Sequence, residues 1–129
     1  GRCAGERPRM GAQRILVTGA AGFLGRGLIA ALAQRPDSFV VATDVRAVDP
    51  ARQRAGVVYR VLDVRDSGLG AVLAEHRIDT VVHLASIVTP GKDSSRELEY
   101  AVHVGGTRNV LTACLAHGVR HCVENRHVF

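Results

Sequence analysis

The sequence has no tryptophan, two tyrosines, three phenylalanines and a single lysine against sixteen arginines. A nucleic-acid surface needs a basic stripe with aromatic platforms, and arginines scattered singly along the chain do not make one. Nucleic acid is therefore not an expected partner. The formal charge of +5 is inflated by Arg2, Arg7 and Arg9 in the leader, where Glu6 is the only acid; without residues 1–9 it falls to +3. No apolar run approaches the ~18 residues that cross a bilayer. The leader also lacks the apolar stretch of a secretory signal, so the expected setting is cytoplasmic, without membrane contact. Three cysteines, Cys3, Cys114 and Cys122, are odd in number and far apart, which fits neither a disulfide framework nor a paired zinc motif. No metal site is expected. Cys114 on a helix and Cys122 in a strand are read as buried free thiols.

What is present is one domain's worth of alternating strands and helices. The 47% apolar and 22% charged content of the 129 residues is that of an ordinary globular core. Strands are expected at 14–18, 39–43, 57–62, 80–84 and 119–123, where short β-branched runs stand between turn signals. After the first strand, Leu24, Leu28, Ala31 and Leu32 fall at helical spacing, and Arg35-Pro36 ends that helix. A modest helix is expected over 66–76. A longer one is expected over 93–117, with Ser94 and Glu97 as a capping box, Gly118 just past its end, and Gly105 and Gly106 inside it for close packing or a break. This succession specifies an α/β fold, a Rossmann-like doubly wound parallel sheet in the order 3-2-1-4-5.

The first strand runs into Thr18-Gly19-Ala20-Ala21-Gly22-Phe23-Leu24-Gly25, a GxxGxxG turn that opens the first helix. Small residues here let a pyrophosphate approach backbone N–H groups at a helix N-terminus. Gly19 permits the tight turn, Gly22 the close contact and Gly25 the packing of helix on strand. A bare glycine-rich turn without a ligand is the alternative. Against it stands Asp44, which ends the second strand 19 residues beyond Gly25 and can accept hydrogen bonds from both adenosine ribose hydroxyls. A carboxylate repels a 2′-phosphate, so NAD is favoured over NADP, although Arg46 nearby could instead hold that phosphate.

These residues resemble the extended short-chain dehydrogenase/reductases of the NAD-dependent epimerase/dehydratase type. TGAAGFLG is similar to that family's TGxxGFxG turn, Leu62-Asp63-Val64-Arg65-Asp66 to its third-strand motif, and His83-Leu84-Ala85-Ser86 to its HxAA segment. The resemblance implies that Asp63 and the Val64 backbone meet the adenine, and that Leu84, Ala85 and Ser86 line the ribose and nicotinamide. With Gly19, Gly22, Phe23, Leu24, Gly25 and Asp44 they make up the expected cofactor site. Read without the resemblance, Asp63 caps the following helix and His83 is a satisfied core histidine. Val104-Gly105-Gly106-Thr107-Arg108-Asn109-Val110-Leu111 is similar to the family's NVxGTxNVL helix.

Two departures bear on chemistry. His103 stands where the family has Asn. No YxxxK pair follows either tyrosine, because the positions four residues beyond Tyr59 and Tyr100 hold Asp63 and Val104, and the only lysine is Lys92. That pair lowers a tyrosine pKa for proton transfer during hydride transfer. No catalytic residue is therefore assigned, and a hydroxylated, sugar-like substrate is expected only for a longer protein. Residues 1–11 are expected to be a disordered leader, 12–123 a partial NAD(P)-binding domain, and 124–129 an atypical tail from an altered reading frame. The alternatives are a non-catalytic NAD-binding regulatory module and an inactive fragment whose open sheet edge hinders folding. The resemblance also implies a homodimer through the long helix.

Overall fold

The computed structural model describes residues 13–84 and 104–124. The expected leader, Ala85, Ser86, Lys92, the capping box of Ser94 and Glu97, Tyr100, His103 and positions 125–129 lie outside the described residues. Strands β1 (Gln13–Thr18), β2 (Ser38–Asp44), β3 (Val57–Val61), β4 (Thr80–His83) and β5 (His121–Glu124) alternate with helices α1 (Phe23–Ala33), α2 (Leu69–Glu75) and α3 (Gly106–Ala116). All strand pairs are parallel, and the sheet runs β3-β2-β1-β4-β5, the expected order.

The central strands are buried on both faces, as a parallel sheet covered by helices requires. Their period of two sorts the side chains. Ile15, Val17, Val40 and Ala42 face one way and pack with Ile29 and Leu32 of α1. Leu16, Val41 and Val81 face the other way and pack with Leu69, Val72 and Leu73 of α2 and with Val110 and Cys114 of α3.

The lower edge of the sheet is held by a polar clasp on Asp79. Its Oδ2 accepts from Arg14 N at 3.1 Å, and its own N–H donates to Arg14 O at 2.9 Å. Its carbonyl accepts from Arg120 N at 2.8 Å and His121 N at 3.1 Å, so one residue links β1, β4 and the approach to β5. Arg14 Nε donates to His76 O at 2.7 Å, and its guanidinium lies 4.2 Å from the Phe39 ring centroid.

Several elements differ from expectation for local reasons. On α1 the buried stripe is Gly25, Ile29 and Leu32, while Leu24 and Ala31 are exposed. The helix is turned so that Gly25, not a leucine, meets the turn after β1. Helix α2 starts three residues late because Asp66 forms a tight turn instead: its Oδ1 accepts from Gly68 N at 2.8 Å and its carbonyl from Leu69 N at 3.2 Å. Strand β5 starts at His121 and runs through Glu124. Cys122, expected to be buried, is exposed there because β5 forms the sheet edge. Cys114 is buried as expected.

Helix α3 ends as its sequence implies. Gly118 adopts φ +67°, and Val119 N reaches back to Cys114 O at 3.0 Å, a Schellman closure. The two glycines at its start part company. A Cβ on Gly106 would lie 2.7 Å from Val64 Cγ2, whereas one on Gly105 would meet nothing within 4 Å. Val104 and Gly105 form a widened, π-type turn leading into the helix. Gly106→Ala should therefore lower stability by about 1–3 kcal/mol through overpacking. Gly105→Ala, at φ −66° and ψ −41°, should be neutral or raise it by up to about 1 kcal/mol. Urea midpoints check this, and equal losses from the two substitutions would contradict it.

Candidate functional site

The candidate site lies at the carboxyl ends of β1, β2 and β4, where neighbouring loops diverge from the sheet. Gly19 takes φ +74°, which an L side chain rarely adopts. Ala20 N then donates to Thr43 O at 2.9 Å, and Gly22 N to Gly19 O at 3.1 Å. Gly25 sits against this turn: a Cβ there would overlap the Gly19 carbonyl oxygen and approach Ala20 Cα to 2.9 Å. Gly22 is different. Its hypothetical Cβ would meet only Gly19 O, at an ordinary 3.4 Å, so internal packing does not demand glycine there.

The start of α1 is open. Gly22 is its N-cap residue and supplies no side-chain cap, and the first helical bond runs from Arg26 N to Gly22 O at 2.9 Å. Among the described residues, no hydrogen bond satisfies the N–H groups of Phe23 and Leu24. Both side chains point to solvent, Phe23 being 82% exposed. Unsatisfied N–H groups and the positive end of the helix dipole converge here.

Asp44 faces this turn from the end of β2. Its Oδ2 accepts from Ala21 N at 2.9 Å and its Oδ1 from Arg46 N at 3.0 Å, with Arg46 Nε 3.9 Å away. The carboxylate is thus fixed beside the glycine turn while half-buried. Asp63 does not cap α2. Arg65 grips it with its backbone N at 2.8 Å, Nε at 3.2 Å and Nη2 at 2.9 Å. That hydrogen bonding holds the Asp63 carboxyl below the usual carboxylate range, against the opposing effect of its partial burial. Val64 is buried, with its side chain in the core. Asn109 Nδ2 on α3 anchors this loop, donating to Val64 O at 2.7 Å and Asp66 O at 2.9 Å.

His83 is a core histidine, 1% exposed. Thr18 Oγ1 lies 2.8 Å from its Nδ1 and accepts from Leu84 N at 2.9 Å. On the other side Thr107 Oγ1 lies 3.4 Å from Nε2 and 3.4 Å from Glu124 Oε2. These contacts are satisfied together when the Thr18 hydroxyl donates to Nδ1, Nε2–H points to Thr107, and Thr107 donates to Glu124. Thr18, Thr107 and Glu124 carry no sequence signal for this role. Each has the composition of a strand end or helix surface, and the register of β1, β4 and β5 together with the packing of α3 brings them together.

The turn, the carboxylate after β2 and the sheet order point to one family. The family model for the NAD dependent epimerase/dehydratase family matches residues 15–125. The chain belongs to that family. It is 40% identical over 104 residues to the L-arabinose 1-dehydrogenase (NAD(P)(+)) of Haloferax volcanii, covering 80% of this chain and 36% of that protein. It is 31% identical over 115 residues to the dTDP-L-rhamnose 4-epimerase of Burkholderia thailandensis, covering 83% and 32%. Among solved structures, the UDP-glucose 4-epimerase of Thermus thermophilus in complex with NAD superposes with a TM-score of 0.72 at 31% identity, over 83% of this chain and 35% of that one. The Bordetella bronchiseptica enzyme WbmG in complex with NAD gives 0.77 at 28% identity, over 91% and 38%. The chain thus spans about a third of the length of these relatives.

No cluster of three or more metal-ligating side chains occurs among the described residues, and no helix there is long and apolar enough to cross a membrane. Burial pushes the Cys114 thiol up to about 12, and partial desolvation raises Cys122, which stays accessible to solvent beside it. A thiol whose folded pKa exceeds its usual 9 destabilises the fold as pH rises above 9, because the unfolded chain then binds fewer protons. Two outcomes follow. Thr18→Val strips partners from His83 Nδ1 and Leu84 N and should lower stability by about 1–3 kcal/mol in urea titration, with Thr18→Ser closer to wild type. With Cys3 replaced by Ser, iodoacetamide at pH 8 should label Cys122 in the native state, and Cys114 only after unfolding, as read by mass spectrometry.

Proposed function

We propose that the chain is the NAD-binding part of an oxidoreductase or epimerase acting on a hydroxylated, sugar-like substrate. The observation that carries the reading is the open first turn of α1 over Gly22. Phe23 and Leu24 present N–H groups without partners among the described residues, and Gly22 stands beside them where the protein itself leaves room for a Cβ. Glycine at that position keeps space for something from outside, and a pyrophosphate fits the charge and the donors.

In this reading Gly19 shapes the cradle, Gly25 sets the angle of α1, and Gly22, Phe23 and Leu24 receive the pyrophosphate. Asp44 holds the adenosine ribose hydroxyls, Asp63 and the Val64 backbone border the adenine, and Leu84, Ala85 and Ser86 border the nicotinamide end. The bound nicotinamide would supply or accept hydride. This chain's residues bind it and fix its orientation. Tyr59 is not assigned the proton transfer, since no lysine stands four residues beyond it; its hydroxyl accepts from Arg54 N at 3.0 Å. We place the proton-transfer pair in the portion of the relatives' length that this chain does not span.

Calorimetry on the 129-residue chain tests the reading. NAD should bind, and Gly22→Val should abolish binding while leaving the circular dichroism spectrum unchanged. Asp44→Asn should weaken NAD by about 10–100-fold, the range for lost hydrogen bonds to a charged group. Undiminished NAD binding by Gly22→Val, or no binding by the folded wild-type chain, overturns it.

A further inference from the structure

Helix α3 and strand β5 meet along one ladder of side chains. Val81 of β4 is the parallel partner of Cys122, and His83 that of Glu124; partners in a parallel pair point to the same face of the sheet. Val81 packs with Val110 and Cys114, so Cys122 and Glu124 project toward α3. The chain turns back after α3 through Gly118, at φ +67°, and helix and strand run in opposite directions. Thr107, at the start of α3, accordingly meets Glu124 at the end of β5, at 3.4 Å. Two turns further along the same side of the helix stands Cys114. It meets Cys122, nearer the start of the strand, through a hydrogen bond between the two thiols.

The two sulfurs differ in access. Cys114 is buried in the core, while Cys122 is exposed at the sheet edge. Burial raises both thiols, but their hydrogen bond acts on them in opposite senses: it favours the thiolate at Cys122 and disfavours it at Cys114. The Glu124 carboxylate works against ionisation of Cys122. Cys122 is thus the sulfur that a reagent reaches, and Cys114 stands behind it, shielded from solvent yet in contact with its partner. An exposed thiol backed by a second thiol converts an encounter with an oxidant into an intramolecular bond.

We propose that Cys114 and Cys122 are a reversible redox pair that closes to a disulfide by exchange with a low-molecular-weight disulfide such as oxidised glutathione. The Cys122 thiolate attacks one sulfur of the reagent, whose S–S bond breaks. One glutathione leaves, taking up the proton that Cys122 lost, and Cys122 carries a mixed disulfide. Cys114 then gives up its proton and attacks Cys122 Sγ; the mixed bond breaks, and the second glutathione leaves with that proton. Two protein thiols are oxidised, and one external disulfide is reduced to two thiols. Because thiolate is scarce at neutral pH, the pair answers sustained oxidation and not brief exposure. The bond fastens the last turns of α3 to the sheet edge, on the helix whose Asn109 anchors the loop at Val64 and Asp66.

The test is incubation of the 129-residue chain, with Cys3 replaced by Ser, in oxidised glutathione at pH 8, followed by mass spectrometry. The product should be lighter by two hydrogens, yield a linked Cys114–Cys122 peptide, keep the circular dichroism spectrum of the reduced chain, and revert in dithiothreitol. Adding Cys114→Ser should halt the reaction at a glutathione adduct on Cys122. Adding Cys122→Ser should slow the reaction at least about tenfold, since the remaining thiol is buried and protonated. A chain with both cysteines that stops at the Cys122 adduct, or that links only to other chains, overturns the inference. So does a rate that climbs steeply in urea well below the unfolding midpoint, because the pair then closes only in the opened chain.

Discussion

The contact between Gly25 and the Gly19 carbonyl sets the geometry on which the upper half of the molecule depends. No side chain fits between helix α1 and the turn that precedes it. The helix therefore descends onto the sheet with its first amides beside the end of β1, and its buried stripe is fixed as Gly25, Ile29 and Leu32. From that one approach follow the exposure of Phe23 and Leu24, the open N–H groups above Gly22, and the position of Ala21, whose amide orients Asp44. A looser packing would detach the carboxylate from the turn it faces.

The fold was legible because its signals are long-range consequences of burial on two faces. Runs such as Ile15 to Thr18 and Val40 to Thr43 are continuously apolar or small, as strands covered on both sides must be, and the alternation with helices then leaves few topologies. Boundaries were less legible where side chains compete with the backbone. Asp66 diverts three residues from α2 into a turn, and of the apolar pattern on α1 Leu24 and Ala31 lie exposed because the Gly25 contact, which the glycine spacing did announce, sets the phase of the helix. Cys122 was misplaced for a related reason: an apolar strand sequence does not tell whether its strand is central or at an edge.

The candidate site was legible in part. Gly19, Gly22, Gly25 and Asp44 stand at a recognisable spacing, and the structure gathers them around one turn. That His83 is a satisfied core histidine was legible, but its partners Thr18, Thr107 and Glu124 were not, since they come from three other elements.

The Asp79 clasp gives the sheet two unlike ends. At its lower edge, backbone and carboxylate bonds from one residue bind β1, β4 and the approach to β5; a slip of one residue in either neighbour of β4 would break several of them at once. At the upper edge the strands release their loops, and variation there need not disturb the register below. The architecture thus separates inheritance from invention: the lower edge preserves the sheet, while the loops above it are free to acquire new preferences one residue at a time.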